Sequence, residues 1–228
     1  MRKYENAPVP TVDYRGFTWK KLWTPEYRHL LLLLFWPIYW LRYPLIEALN
    51  PPERCHVIGC ALDGMIPFCE YFLIPYMLWM ACMLWVVYYT LRHDTESFRK
   101  YSQFLILAFS ISTVIYIFWP TCQNLRPEQF QRDNLFTKIV AMLYAADTST
   151  NVCPSEHVIG SIAFWAAAIH TKGLQTPGKV ALMSFLAVVI SLSTVFLKQH
   201  SILDVFAAIP LCMVVYWVVY RRKKPDLG

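Results

Sequence analysis

Long runs of apolar residues recur along almost the whole of this chain and constrain its fold more than any other feature. A helix needs about 20 apolar residues to cross the hydrocarbon core of a bilayer. Runs that approach this length cover residues 29–49, 66–91, 102–120, 157–171, 180–198 and 201–220. The sequence therefore predicts an all-α, polytopic membrane protein with six transmembrane helices.

The first and fourth of these runs are the least regular. Arg42 and Glu47 interrupt the first, and the fourth is short and begins beside charged residues. Composition supports the membrane interpretation, because 57% of the residues are hydrophobic and only 16% are charged. An average soluble domain has about 45–50% apolar and about 25% charged residues. A soluble globular domain is therefore excluded.

The positions of the lysines and arginines predict the orientation. Most of them fall on one side if the N-terminus, the loops 92–100 and 172–179 and the C-terminus share that side. Because Lys and Arg accumulate in cytoplasmic loops, both termini are predicted to be cytoplasmic. The net charge of +6 then reports membrane topology, and no nucleic-acid partner is expected.

Three regions follow from this topology. Residues 1–28 form a basic, aromatic segment that suits the membrane interface, with an unstructured basic tail as the alternative. Residues 29–220 form the six-helix membrane domain, and residues 221–228 form a basic cytoplasmic tail.

Ionisable residues concentrate at the predicted extracytoplasmic ends of spans three to six. Arg126 follows the third span, His157 opens the fourth, and His200 and Asp204 open the sixth. Such side chains are costly at membrane depth, so function is the default hypothesis for them. On a helix, His200 and Asp204 would share one face, and the carboxylate could orient the imidazole as a nucleophile or base. A purely structural His–Asp hydrogen bond is the alternative.

The same membrane face offers groups that suit an anion. Pro154-Ser155 before an apolar run predicts a helix start with Ser155 as N-cap, and the free N–H groups of such a terminus favour phosphate. Arg126 brings a guanidinium suited to bidentate phosphate contact. Asp147 is a further substrate-proximal candidate, although it could equally cap a turn. An anion site beside two histidines is what phosphoryl transfer through a phosphohistidine requires.

The order of these motifs resembles the type 2 phosphatidic acid phosphatase superfamily. That superfamily has Lys-x6-Arg-Pro, Pro-Ser-Gly-His and Ser-Arg-x5-His-x3-Asp on a six-helix membrane core. The corresponding motifs here are Arg126-Pro127, Pro154-Ser155-x-His157 and Ser193-x6-His200-x3-Asp204. The match covers about residues 100–220.

The resemblance implies a role for each matched residue. His200 is the expected nucleophile, Asp204 its orienting partner, and His157 the acid that protonates the leaving oxygen. Arg126, Ser155 and Ser193 are expected to hold the phosphate of a membrane lipid. No metal or other cofactor is expected.

The departures from the motifs concern charge. Trp119 replaces the Lys of the first motif, Thr194 the Arg of the third, and Glu156 the Gly of the second. Two phosphate-binding cations are therefore absent. Lys198 lies close to His200 in sequence, but on a helix it would point away from it.

A lipid phosphotransferase is the alternative to a phosphatase. Sphingomyelin synthases and inositol phosphorylceramide synthases belong to the same superfamily and lack the third-motif Arg. Residues 200–205 are similar to their His-aromatic-x-x-Asp-Val element except at Ser201. A phosphodiester carries less charge than a monoester and requires fewer cations. We hypothesise that Glu156 disfavours a dianionic phosphate and instead meets a cationic head group or an acceptor hydroxyl.

The sequence thus predicts a lipid phosphatase in the plasma or cytoplasmic membrane, with its site on the extracytoplasmic face. Three further alternatives stay open. The chain could be an inactive relative that binds lipid, or a transporter whose charges line a pathway. His157, His200 and Asp204 could also hold a metal as a two-His-one-carboxylate triad.

Overall fold

The computed structural model describes residues 11–221, which are predominantly helical. The α-helices are α1 (Phe35–Leu49), α2 (Ala61–Met65), α3 (Leu73–His93), α4 (Thr95–Phe118), α5 (Leu135–Ala146), α6 (Glu156–His170), α7 (Pro177–Phe196) and α8 (Ile202–Tyr216). Short 3-10 segments cover Tyr14–Gly16, Trp19–Lys21, Arg28–Leu34, Pro52–Arg54 and Glu70–Phe72, and a π-helix over Trp217–Arg221 extends α8. Two strands, β1 (His56–Val57) and β2 (Thr121–Cys122), pair in parallel.

Within residues 11–221, five helical stretches are long and apolar enough to cross a membrane. They are Arg28–Leu49, Glu70–His93, Thr95–Phe118, Pro177–Phe196 and Ile202–Arg221. These stretches coincide with the first, second, third, fifth and sixth predicted spans, although their ends differ by a few residues. The all-α fold is therefore confirmed, and the five stretches have the length and composition of membrane-spanning helices.

The fourth predicted span is α6, the central helix of the bundle. With 15 residues it is shorter than the other five, and it packs against α3, α4, α7 and α8. Most of its side chains are buried, including Ile159, Ala163 and Phe164. Because protein surrounds α6 on most sides, it does not need the long lipid-facing run of its neighbours. A count of six spans depends on this helix and stays a prediction.

The hydrophobic core lies where α3, α4 and α6 meet. Fully buried side chains there include Met83, Val86, Phe98, Tyr101, Phe104, Ile159, Ala163 and Phe164. Alanine and glycine on α6 allow the neighbouring helices to approach closely, as is usual for helix packing in membranes.

The interhelical connections gather at two ends of the bundle. One end, here called the site end, carries residues 50–72, 119–155 and 197–201. The pairing of β1 with β2 joins the first of these segments to the second. Asp63 joins the first to the third by accepting hydrogen bonds from the Ser201 hydroxyl at 2.7 Å and the Ile202 N–H at 2.8 Å. These cross-links hold the three segments together.

The N-terminal segment packs against the opposite end. The Tyr14 hydroxyl contacts His29 Nε2 at 2.8 Å and donates to the Leu91 carbonyl at 3.1 Å. Trp19 and Trp23 are exposed. The rest of the predicted interfacial segment, residues 1–10, and nearly all of the predicted tail, residues 222–228, lie outside the described residues. An interfacial location for this segment stays a prediction.

Candidate active site

A cavity of about 320 Å³ lies at the site end of the bundle. Its walls come from α1, α3, α4, α5, the start of α6 and the loop residues 147–152 and 199–200. Four of the predicted site residues line it: Asp147, Glu156, His157 and His200. The other polar lining residues are Tyr39, Arg42, Tyr43, Tyr116, Thr148, Thr150, Asn151 and Gln199.

His200 lies in the turn between α7 and α8, and its Nδ1 is 3.3 Å from Oδ2 of Asp204. The expected contact between His200 and Asp204 is therefore present. The prediction that both residues lie on one face of a helix is wrong, because α8 begins only at Ile202. Asp204 is in the first turn of α8, and its carboxylate turns back to accept the Ser201 N–H at 2.9 Å. A capping interaction at the helix start thus brings the imidazole and carboxylate together.

Asp204 is completely buried behind His200. Its Oδ1 has no hydrogen-bond partner among the described residues, while its backbone carbonyl accepts the Ser155 N–H at 3.1 Å. With Nδ1 directed at the carboxylate, Nε2 is the remaining ring nitrogen of His200, a residue that lines the cavity. Burial, together with the Asp204 carboxylate, raises the pKa of the Cys153 thiol to about 12, so this thiol stays protonated and is a poor nucleophile.

His157 faces the same cavity from the first turn of α6. Its imidazole is sandwiched between the rings of Tyr76 and Trp79, with centroid distances of 4.3 Å and 4.2 Å. The His200 ring lies 5.9 Å away, centroid to centroid. The two aromatic rings fix the plane of His157, so two oriented imidazoles face one space.

Gly160, which is not among the predicted site residues, makes this stacking of His157 between two rings possible. A Cβ atom at this position would lie 2.5 Å from Trp79 Nε1 and 2.6 Å from Met83 Sδ. Real Cβ atoms do not approach other atoms so closely. The indole can therefore rest on α6 next to His157 only because residue 160 has no side chain.

Glu156 forms an ion pair with Arg42 across the cavity wall. Nη2 of Arg42 donates to both carboxylate oxygens at 2.8 Å and 2.7 Å, and the Tyr39 hydroxyl donates to one of them at 2.8 Å. Glu156 was expected to contact a cationic head group or an acceptor hydroxyl of the substrate. Within the protein, the cation that pairs with Glu156 is Arg42. Arg42 is not among the residues that the sequence motifs predict for the site. The available signal was its position inside an apolar run, where a charge is costly.

Arg126 does not line the cavity. Its guanidinium donates to the carbonyls of Tyr144 at 3.0 Å and Thr148 at 3.1 Å, and to Oε1 of Gln199 at 2.5 Å. It also lies over the Tyr144 ring, 4.5 Å from the centroid. Arg126 was predicted to bind phosphate, but in the structure its guanidinium connects α5, the loop after α5 and the turn that carries His200.

The two predicted serines are completely buried and do not line the cavity either. The Ser193 hydroxyl donates to the Ile190 carbonyl of its own helix at 2.6 Å. Ser155 precedes α6, as predicted, but its side chain makes no capping hydrogen bond, so that part of the prediction is wrong. Its backbone N–H is also already bonded to Asp204.

Asp147 ends α5 and directs its carboxylate to other side chains. One oxygen accepts the Tyr43 hydroxyl at 2.5 Å, and the other accepts the Gln199 amide at 3.3 Å. Burial raises the pKa of Asp147. Asp147 lies in the cavity wall, and its substrate-proximal role stays a prediction.

The other cations near the site are bound elsewhere. Nζ of Lys198 donates to the carbonyls of Asp63 and Ile66 at 2.7 Å and 2.5 Å. Lys198 lies in the turn between α7 and α8 and not on the helix that was expected. Arg132 pairs with Glu70 at 3.0 Å. Within residues 11–221, Arg42 is the single Lys or Arg in the cavity lining.

No three His, Cys, Asp or Glu side chains of the described chain are grouped so that they could hold a metal ion. Compared with protein-family models, with curated proteins and with solved structures, the chain gives no match.

Proposed function

We propose that the protein is an integral-membrane lipid phosphatase that works through a phosphohistidine on His200 and needs no metal. One observation carries this proposal: two imidazoles face one cavity, and a buried carboxylate lies 3.3 Å behind one of them. This is the arrangement of a nucleophile, its orienting partner and a second group for proton transfer.

The reaction would proceed in two steps. In the first, Nε2 of His200 attacks phosphorus and the bond from phosphorus to the lipid oxygen breaks, while His157 passes a proton to that leaving oxygen. Asp204 accepts the hydrogen bond of Nδ1–H and stabilises the positive charge that develops on the ring. In the second step, His157 takes a proton from water, the resulting hydroxide attacks phosphorus, and the N–P bond breaks to release phosphate and restore His200.

A lipid substrate is supported by the position of the cavity among membrane-length helices. Trp40, Met80 and Leu143 supply apolar walls from α1, α3 and α5, and Trp40 is exposed on the outer surface of α1. A lipid tail would remain on this apolar side while its phosphate reached the histidines. The distribution of Lys and Arg favours an extracytoplasmic site in the plasma or cytoplasmic membrane.

Lipid phosphotransfer is the second candidate. The commitment of Arg126 and Lys198 to protein carbonyls favours it, because fewer cations are then left for a doubly charged phosphate. In this reaction an alcohol would replace water in the second step, and the N–P bond of the same intermediate would break.

The test is to incubate protein purified in detergent with a panel of lipid phosphomonoesters and phosphodiesters, with and without an alcohol acceptor. Products are identified by mass spectrometry. Release of inorganic phosphate that resists a strong chelator supports the phosphatase, whereas a new phosphodiester supports transfer.

His200→Ala provides the control for the nucleophile. It should abolish turnover and leave the elution volume and melting temperature close to those of the wild type. His56→Ala is the matched variant, because His56 also lies at the site end but stacks on Trp119 at 4.4 Å and does not line the cavity. Turnover that persists in His200→Ala would refute the mechanism, and inactivity on the whole panel would favour an inactive lipid-binding relative.

A further inference from the structure

Arg42 and Glu156 are an ion pair in the wall of the cavity that holds both histidines. Their side chains are only 16% and 15% exposed. A buried ion pair is often no more stabilising than apolar residues of similar volume, and Arg42 lies within a membrane-length helix, where a charge is costly. Stability alone therefore gives little reason for a charged pair at this place.

The guanidinium of Arg42 is held in a fixed orientation. Nη2 binds both oxygens of Glu156, Nη1 donates to the Thr113 hydroxyl, and the Tyr39 ring lies under the guanidinium at 4.6 Å from its centroid. Nε has no hydrogen-bond partner among the described residues. A planar, pre-oriented guanidinium at a cavity is the group that proteins use for phosphate oxygens.

Glu156 cancels the charge of this arginine. Since Arg42 is the single Lys or Arg among the described lining residues, the ion pair leaves the cavity without an excess of fixed positive charge. A phosphomonoester carries about −1.5 to −2 at neutral pH, whereas a phosphodiester carries a single negative charge. A doubly charged phosphate would face the Glu156 carboxylate with no second cation to compensate for it.

We propose that Arg42 binds the substrate phosphate and that Glu156 determines specificity by restricting the site to phosphoesters with one negative charge. This inference rests on the proposed function of the same site. The substrate class it names is the lipid phosphodiester, so it favours lipid phosphotransfer, the second candidate for that function, over release of inorganic phosphate from a monoester. Arg42 lies in α1, outside the part of the chain where the motifs of the sequence place phosphate-binding cations.

The central experiment compares wild type with Glu156→Gln, which keeps the shape of the side chain and removes its charge. The readout is the ratio of kcat/KM for a lipid phosphomonoester to that for a phosphodiester with the same tail. We expect the ratio to rise at least tenfold, because removal of one repulsive contact worth about 1.4 kcal/mol changes a rate by that factor. Glu70→Gln is the matched control, since it breaks another Arg–Glu pair, with Arg132 at 3.0 Å, outside the cavity.

A binding measurement tests the same inference without turnover. Inorganic phosphate should raise the melting temperature of Glu156→Gln in detergent more than that of wild type, and should leave Arg42→Met unaffected. Arg42→Lys keeps the charge but loses the planar contact, so it should retain part of the shift. If Arg42→Met does not fold, the phosphate-dependent shift in the melting temperature of Arg42→Lys still tests the role of Arg42.

The possible results separate this inference from the proposed function. An unchanged ratio in Glu156→Gln, with turnover still dependent on His200, overturns the charge selection and leaves the enzyme function standing. An equal rise in Glu70→Gln, or an undiminished phosphate shift in Arg42→Met, also overturns it. Turnover that does not depend on His200 refutes the proposed function. In that case the melting-temperature shifts with inorganic phosphate still test whether Arg42 and Glu156 act as proposed.

Discussion

His200 and Asp204 meet across the start of α8, with 3.3 Å between Nδ1 of the imidazole and Oδ2 of the carboxylate. The same Oδ2 accepts the Ser201 N–H at 2.9 Å. One carboxylate oxygen thus caps the helix and orients the histidine.

Asp204→Asn should lower kcat by roughly 10³- to 10⁴-fold, the scale seen when the carboxylate of a catalytic His–Asp pair is replaced by an amide. An amide cannot stabilise the imidazolium that forms during attack, and it favours the wrong tautomer. Steady-state kinetics on the active substrate give the effect. Asp133→Asn is the control, because Asp133 is an exposed residue paired with Lys138. Asp204→Asn with a tenth or more of wild-type activity would contradict the orienting role.

Gly160→Ala should destabilise the protein by about 1–3 kcal/mol, the usual cost of overpacking. The added methyl group would have to displace the Trp79 indole or Met83, and the stacking on His157 would change with it. Both the melting temperature and kcat should fall. Gly178→Ala is the matched helical variant, since a Cβ there meets nothing within 4 Å, and it should leave both quantities unchanged. Equal behaviour of the two variants would rule out a packing role for Gly160.

Arg126→Met should lower stability by about 2 kcal/mol, because the Tyr144 and Thr148 carbonyls lose a charged donor. It should not abolish the stabilisation of the protein by inorganic phosphate, since Arg126 does not line the cavity. Thermal unfolding in detergent with and without phosphate measures both effects, with Arg42→Met as the comparison. Loss of the phosphate effect in Arg126→Met alone would restore Arg126 as the phosphate ligand that its motif predicts.

The sequence predicts most of the fold because an apolar run of membrane length has few other structures available to it. It also predicts that His157, His200 and Asp204 converge, since all three lie at the same ends of neighbouring spans. The helix α6 departs furthest from the expected pattern. Its length and small residues, such as Gly160, are explained only by the four helices packed around it, which no local sequence pattern reports.

The charged contacts of the site are harder to predict because they join distant parts of the chain. Arg42 and Glu156 are separated by 114 residues, and neither motif nor spacing relates them. Arg126 shows the opposite difficulty. Its position in the motif predicts a phosphate ligand, but the conformation of residues 119–155 determines which groups its guanidinium contacts.

Asp63 offers a prediction that depends on pH. Its carboxylate accepts hydrogen bonds from the Cys60 N–H at 2.8 Å, the Ser201 hydroxyl at 2.7 Å and the Ile202 N–H at 2.8 Å. Burial alone would raise the pKa of Asp63, but the hydrogen bonds from Ile202, Ser201 and Cys60 outweigh it and hold the pKa below its usual value of 3.8. The folded protein therefore binds this proton less tightly than the unfolded chain does.

The stabilisation by Asp63 should thus be complete above pH 3.8 and be lost as the pH falls through the lower pKa of the folded state. Asp63→Asn should lower the free energy of unfolding by about 1–3 kcal/mol at neutral pH, because an amide oxygen accepts these bonds less strongly and its NH₂ group faces donors. The difference from wild type should stay constant from about pH 7 to about pH 5 and shrink as the pH falls below 3.8. Melting temperatures in detergent across this range provide the measurement, with Asp133→Asn as the control. Parallel curves for wild type and Asp63→Asn would show that the charge of Asp63 does not stabilise the site end.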